Sequence, residues 1–347
     1  FRNIIINGGM DIAQRGTSFT GLGNGDSAYT VDRFKWSEEG SMTNEWTVSQ
    51  STTVPSGQGF AKSLKVDCTT ADTSIDSGNI QYVEQRVEGQ NLQYLKYGTS
   101  SAESTTLSFW VRSNKTGTYT IALINNDGSE RLSSQAYTIS SADTWEKKTL
   151  TFTGDTSQAF DNDNASSLSI QFNLVAGTDK TSGSLQSWGS NTQANRAVGQ
   201  VNLADSTSNE WYVTGIQLEA GSQASDFEFL PHDVNLQRCL RYFQEMAPKK
   251  NDCRIAIGEN VSGQRCDPVL QYVEKRANPS VTFTAANTFS LYNANTSRDC
   301  TSMTADNFSE ICGNLNANVS SGLTPTGGAS QFITNGTGSQ IFVDAEL

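Results

Sequence analysis

From Tyr29 to about Glu228 the chain repeats one pattern, apolar residues at every second position in short runs with turn clusters between them. Leu64, Val66 and Cys68 alternate with polar neighbours, as do Leu107, Phe109 and Val111, and Tyr119, Ile121 and Leu123. Leu150 and Phe152 follow. Leu168, Ile170, Phe172 and Leu174 make the cleanest run, and Trp211, Val213, Ile216 and Leu218 close the series. Period-two alternation puts one face of a strand in a core and the other in solvent. Asn114-Lys115-Thr116-Gly117, Asn125-Asn126-Asp127-Gly128 and Gly154-Asp155-Thr156 supply the turns. Many such antiparallel strands bury their apolar faces by stacking as two sheets. The reading is a jelly-roll β-sandwich over residues 29–230.

The flanks differ. Residues 1–28 hold the β-branched run Asn3-Ile4-Ile5-Ile6, a glycine break and a polar loop. That run is too short for a domain and too apolar for a free tail. It is expected to pack on the main domain or to serve as a strand for pairing with a neighbouring subunit. Pro231 and Asp233 mark a helix start, and Leu236, Cys239, Leu240 and Phe243 keep helical spacing until Pro248. A linking helix is therefore predicted over 231–248. Residues 249–347 are β-like again, with strands near Val281-Thr284, Phe289-Tyr292 and Gln340-Val343. The predicted fold class is all-β: a jelly-roll, a short helix and a second, smaller β-domain.

Composition supports this over disorder. Of 347 residues only 35% are apolar and 17% charged, yet 6 Trp, 10 Tyr and 16 Phe provide large buried areas. The net charge of −12 argues against nucleic acid and against an anionic membrane surface as partners. No apolar stretch approaches the roughly 18 residues of a spanning helix, so no membrane insertion is expected. There is no signal-peptide pattern. The sequence starts at Phe1, which leaves a missing leader or anchoring domain open.

Candidate chemistry is sparse. His232 is the only histidine, beside Pro231 at the predicted helix start, and there is no Gly-x-Ser-x-Gly elbow, so no catalytic residue is assigned. Glycan hydrolysis needs two carboxylates about 5–10 Å apart. Glu84, Glu88, Glu219 and Asp226 are the candidates, with Glu84 and Glu88 read as a solvated sheet face and Glu219 as a turn or calcium-ligand position. No cofactor is expected. Structural calcium is compatible with Asp161-Asn162-Asp163-Asn164 and Asn125-Asn126-Asp127-Gly128, although ordinary turns explain them as well. The cysteine spacing does not make a zinc site, and leaves Cys253–Cys266 and Cys300–Cys312 open as disulfides. Sugar binding uses exposed aromatic rings. Trp110 has the opposite parity to Leu107, Phe109 and Val111, and Trp188 lies in the polar loop Ser182 to Gln200. These two are the candidate ligand-binding residues, against the plainer reading that each packs under a loop or at an interface.

Several phrases in order resemble tail-fibre and structural proteins of tailed, particularly marine, bacteriophages. They begin with Asn3-Ile4-Ile5-Ile6-Asn7-Gly8-Gly9-Met10 and Ala13-Gln14-Arg15-Gly16, then Leu107-Ser108-Phe109-Trp110-Val111-Arg112-Ser113. Ala142-Asp143-Thr144-Trp145-Glu146, Thr214-Gly215-Ile216-Gln217-Leu218-Glu219-Ala220-Gly221 and Cys239-Leu240-Arg241-Tyr242-Phe243 follow. The middle part also resembles carbohydrate-binding-module jelly-rolls. The resemblance spans about residues 3–245 and implies a virion-surface location and a homotrimer. Its implied partners are copies of itself, other virion proteins and a host surface glycan. The expected function is a non-enzymatic tail-fibre subunit for host attachment. The alternatives are a binding module of a polysaccharide depolymerase and a head-fibre or decoration subunit.

Overall fold

The computed structural model describes residues 2–246, 250–325 and 327–347. The chain divides into two units, residues 1–236 with Leu347, and residues 237–346. Both are β-structures, as the alternation predicts.

In unit 1 the strands are β1 (Ser18–Gly23), β2 (Ser27–Tyr29), β3 (Lys35–Glu39), β4 (Glu45–Ser51), β5 (Ser63–Thr70), β6 (Ile80–Glu88) and β7 (Thr105–Ser113). They continue with β8 (Gly117–Asn125), β9 (Arg131–Ile139), β10 (Glu146–Phe152), β11 (Ser166–Ala176), β12 (Gly189–Ser190) and β13 (Glu210–Ala220). Two antiparallel sheets result. Sheet A runs β1-β4-β5-β13-β7-β10 and sheet B runs β12-β9-β8-β11-β6-β3-β2. Their inner faces form a single core in which aromatic rings meet across the sandwich. Phe109 of sheet A stands edge-on to Phe172 of sheet B at 5.3 Å, and Trp46 meets Trp36 at 5.5 Å. Offset and edge contacts of this kind add to the burial of large rings.

The N-terminal run is not a strand for a neighbour. Ile4, Ile5 and Ile6 are buried, and Ile4 N donates to Leu218 O at 2.9 Å. Asn3 bonds Ile216 O and Leu218 N through its side chain. The physical reason lies in β13. Its pairing with β5 runs over Glu210–Val213, and a bulge falls between Thr214 and Gln217. The N-terminal segment takes the edge beyond it, where Ile216 N donates to Gly8 O. A Cβ on Gly8 would lie 2.0 Å from Ile216 O, so this close approach requires glycine. Residues 18–23 and 27–28, expected in a polar loop ahead of the sandwich, belong to its strands β1 and β2.

A four-residue helix α1 (Thr178–Thr181) opens the long loop after β11, and α2 (His232–Leu240) contains the unit boundary. The helix expected to reach Pro248 stops at Leu240. Phe243–Met246 forms β14 instead, because it finds a ladder partner in Ile341–Asp344, which is β23. Pro248 itself lies outside the described residues. Unit 2 also contains β15 (Arg254–Asn260), β16 (Arg265–Gln271), β17 (Ser280–Phe283), β18 (Phe289–Asn293), β19 (Thr296–Asp299), β20 (Ser302–Asp306), β21 (Cys312–Asn318) and β22 (Ala329–Thr334). Phe289, Leu291, Leu315 and Phe332 centre its own core.

All six cysteines are free, which overturns both disulfide expectations. Cys266 stands opposite Asn260 in the β15–β16 ladder, so Cys253 is seven positions further along the chain, on the order of 20 Å away. A disulfide spans less than about 7 Å between Cα atoms. Cys300 is next to Thr301, which bonds Asn318, whereas Cys312 begins β21 at its other end. Burial pushes the Cys266 thiol up to about 11 and the Cys300 thiol up to about 12.

Candidate functional site

The outer faces of the two sheets in unit 1 are built differently. On sheet B, Tyr82, Glu84, Gln171, Asn173 and Thr120 face outward, yet each is buried. The loop after β11 lies across them. Arg196 donates twice to Gln171 Oε1 at 2.9 and 3.1 Å, and its guanidinium sits 4.9 Å from the Tyr82 ring centre. Gln200 Oε1 accepts from Thr120 N and Oγ1. Glu84, expected on a solvated face, is fully buried and bonded to Ser37, Arg86 and Gln171. Glu88 is also fully buried and accepts from Gln90. The solvated-face reading fails at Glu84 because Gln171, which bonds it, is itself capped by Arg196 from far along the chain.

Trp188 belongs to the same closure. Its ring stands edge-on to Tyr97 at 5.7 Å, and its indole N–H donates to Thr153 O at 2.8 Å. The anchor is invisible in the loop's own sequence because Tyr97 and Thr153 are distant in it.

Trp110 stands on the outer face of sheet A, where the strands leave an open cleft of about 320 Å³. That volume falls at the lower end of ligand pockets, about 300–1,000 Å³. Its floor is Ser108 and Trp110 of β7, Lys147 of β10 and Gly215 of β13. Its wall is a triad of phenylalanines: Phe60–Phe227 at 5.0 Å, Phe60–Phe229 at 5.1 Å and Phe227–Phe229 at 4.8 Å. Phe229 keeps 55% of its surface exposed. Gly215 has φ +62°, and a Cβ there would lie 2.5 Å from the Phe60 ring, so glycine lets that ring settle on the sheet.

The wall is held from below. Glu219 accepts from Ser225 N at 2.8 Å and Ser225 Oγ at 2.6 Å, and Gln217 Oε1 accepts from Glu228 N at 2.8 Å. Burial opposes ionisation of Glu219, but the bonds from Ser225 and Gln217 and the charge of Arg2 outweigh it and hold its pKa below the usual range. Glu219 thus anchors the segment that carries Phe227 and Phe229.

The polar side chains of the cleft are turned to its opening and not spent on internal bonds among the described residues. Ser108 lines its floor and is 3% exposed. The side chains of Lys147, Asp226 and Gln58 are exposed and unpaired. Of the four carboxylates considered from sequence, Asp226 alone lines this cleft. Sequence reasoning reached Trp110 by parity but missed Phe60, Phe227 and Phe229, although Phe227 and Phe229 alternate in Asp226-Phe227-Glu228-Phe229.

The Asp/Asn turns bond to one another. Asp161 N donates to Asp127 Oδ2 at 2.9 Å, and Asp163 Oδ1 accepts from Ala165 N. Among the described residues no group of three or more His, Cys, Asp or Glu is placed to hold a metal ion. Unit 2 carries a separate open trough of about 570 Å³ in which Ile257, Val261 and Val269 are 64%, 48% and 49% exposed.

No protein-family model and no curated protein matches the chain. Solved structures similar to it include the enzymatically active domain of tailspike protein 4 of bacteriophage CBA120, at 14% identity and TM-score 0.34, over 63% of this chain and 21% of that one. A family 11 carbohydrate-binding module from Clostridium thermocellum, in complex with a β-1,3-1,4-mixed-linked tetrasaccharide, is similar at 10% identity and TM-score 0.29, over 60% and 98%. A family 16 carbohydrate-binding module is similar at 14% identity and TM-score 0.24, over 49% and 84%. The chain therefore spans about a fifth of the length of the tailspike chain.

Proposed function

We propose that this chain is a non-enzymatic glycan-binding protein of a phage particle, a tail-fibre subunit that attaches to host-surface polysaccharide through the Trp110 cleft. The observation carrying the glycan reading is the cleft itself. An aromatic floor and wall are braced by Gln217 and Glu219, and Ser108, Lys147, Asp226 and Gln58 are free to take hydroxyls. Rings meet the apolar faces of sugars, and a few polar groups set orientation. Binding without hydrolysis fits the carboxylates, since Glu84, Glu88 and Glu219 are occupied by internal bonds and Asp226 is the one carboxylate among the described residues that line the cleft, where hydrolysis needs a pair. The order of sequence phrases resembling phage fibre proteins supports the virion assignment.

Assembly with further copies of the chain, as a homotrimer alongside other virion proteins, is part of this reading. Exposed apolar patches of this kind mark contact surfaces. Unit 2 holds nine Lys and Arg against ten Asp and Glu, so its copies meet with little repulsion.

Trp110→Ala is expected to lower affinity for fragments of host polysaccharide by about tenfold or more while leaving the urea midpoint in place. Calorimetry and denaturation measure the two. Release of oligosaccharides by the unaltered protein would overturn the non-enzymatic assignment, and absence of the protein from purified particles by immunogold imaging would overturn the virion one.

A further inference from the structure

The face of sheet A continues past the cleft toward a second ring. Trp110 pairs with Lys147 of β10 and with Thr214 of β13, and two positions along β7 Arg112 pairs with Tyr212. Glu146 pairs with Val111, so Trp145, one residue earlier, stands beside Arg112. That makes it a diagonal neighbour of Trp110, roughly 7–8 Å away. Its ring meets Tyr212 edge-on at 6.2 Å, and the Arg112 guanidinium lies 5.0 Å from the Tyr212 ring centre.

Much of the local structure fixes Trp145 in place. Arg112 donates to Asp143 O at 3.0 Å and to Asp143 Oδ1 at 2.7 Å, and Asp143 N donates to Ser113 O. Asp143 is held at φ 57°, a left-handed conformation that costs a non-glycine residue energy. Glu146 accepts from Ser140 N at 2.8 Å and Ser141 N at 3.0 Å. Trp145 nevertheless stays half-exposed and outside the sandwich core. Between the two indoles Lys147 is exposed and carries no ion pair.

We infer that the cleft is one end of a track for a linear, neutral glycan chain, with one sugar unit on Trp110 against Phe229 and a following unit on Trp145. Lys147 donates to hydroxyls between them. The inference rests on the glycan reading of the cleft. Neutrality of the chain follows from charge: residues 1–236 hold fifteen Lys and Arg against twenty-six Asp and Glu, which repels a polyanion.

The test uses a size series, monomer to hexamer, of the neutral linear glycan that binds most tightly on an array of bacterial polysaccharide fragments. Affinity is expected to rise about threefold to tenfold between monomer and trimer, the contribution of a second stacked ring. Trp145→Ala removes that rise and leaves monomer affinity unchanged, whereas Trp145→Phe keeps most of it. Monomer and trimer bound alike, or a trimer indifferent to Trp145→Ala, would remove the track and leave the cleft. Failure of every member of the series to bind the unaltered protein would remove the cleft reading itself.

Discussion

Sheet A and sheet B of unit 1 share one core and treat their outer faces in opposite ways. Sheet B covers its own with the loop that carries Arg196 and Gln200, and spends that loop's polar groups on internal bonds. Sheet A uses its supporting residues, Gln217, Glu219 and Arg112, to hold aromatic rings at an uncovered surface. A sandwich must fill its inner faces to fold at all, so the inner faces say little about function. The informative surface is an outer face that is organised and still open.

The largest effect expected from this contrast is on the covered side. Arg196 is 3% exposed and joins Glu39 at 2.7 Å, Gln171 and the Tyr82 ring. Arg196→Met should cost about 3 kcal/mol in urea titration, the low end for breaking a buried pair, since Glu39 is 40% exposed and can rehydrate. A cost below about 1 kcal/mol would mean that the loop is not what closes sheet B. The same pair sets an acid limit. Burial raises the Glu39 pKa, but hydrogen bonds and charge from Arg196 and Lys180 prevail and hold it at about 2. Its stabilisation is complete above the unfolded value of about 4.3 and is lost as pH falls toward about 2. Glu39→Gln should flatten the fall in stability across that window.

That contrast also separates what was legible in the sequence from what was not. Strands with one covered face announced themselves: Leu107-Val111 became β7 and Leu168-Leu174 became β11. In β6, Ile80–Glu88, the outer face is polar but buried, and nothing local distinguishes it from a wet one. Its cover, Arg196, is over a hundred residues away. The helix past Leu240 was misread for a related reason, because Phe243–Met246 gains its ladder from β23 at the far end of the chain. At the cleft, parity exposed Trp110, whereas the phenylalanine wall joins residue 60 to residues 227 and 229 and depends on the small Gly215.

A smaller effect is expected at Trp188. Trp188→Phe keeps a ring beside Tyr97 but removes the donor to Thr153 O, which should cost about 1 kcal/mol. Glycan affinity should not change. A loss of affinity with stability intact would place Trp188 in a binding role and blur the division between the two faces.

The smallest stability effect should come from Lys147, and it cuts the comparison most finely. Lys147 is opposite Trp110 in the ladder, yet its exposed ammonium has no ion-pair partner among the described residues. Its neighbour Lys148, on the other face of β10, is paired with Glu146. Lys147→Ala should therefore move unfolding free energy by no more than about 0.5 kcal/mol, the usual range for a surface site without partners. If the open face is a binding face, the same substitution lowers glycan affinity by severalfold, read by calorimetry on the protein that passed the urea test. Unchanged affinity, or a stability loss above about 1 kcal/mol, would make this lysine part of the scaffold and leave sheet A's outer face less distinct from sheet B's.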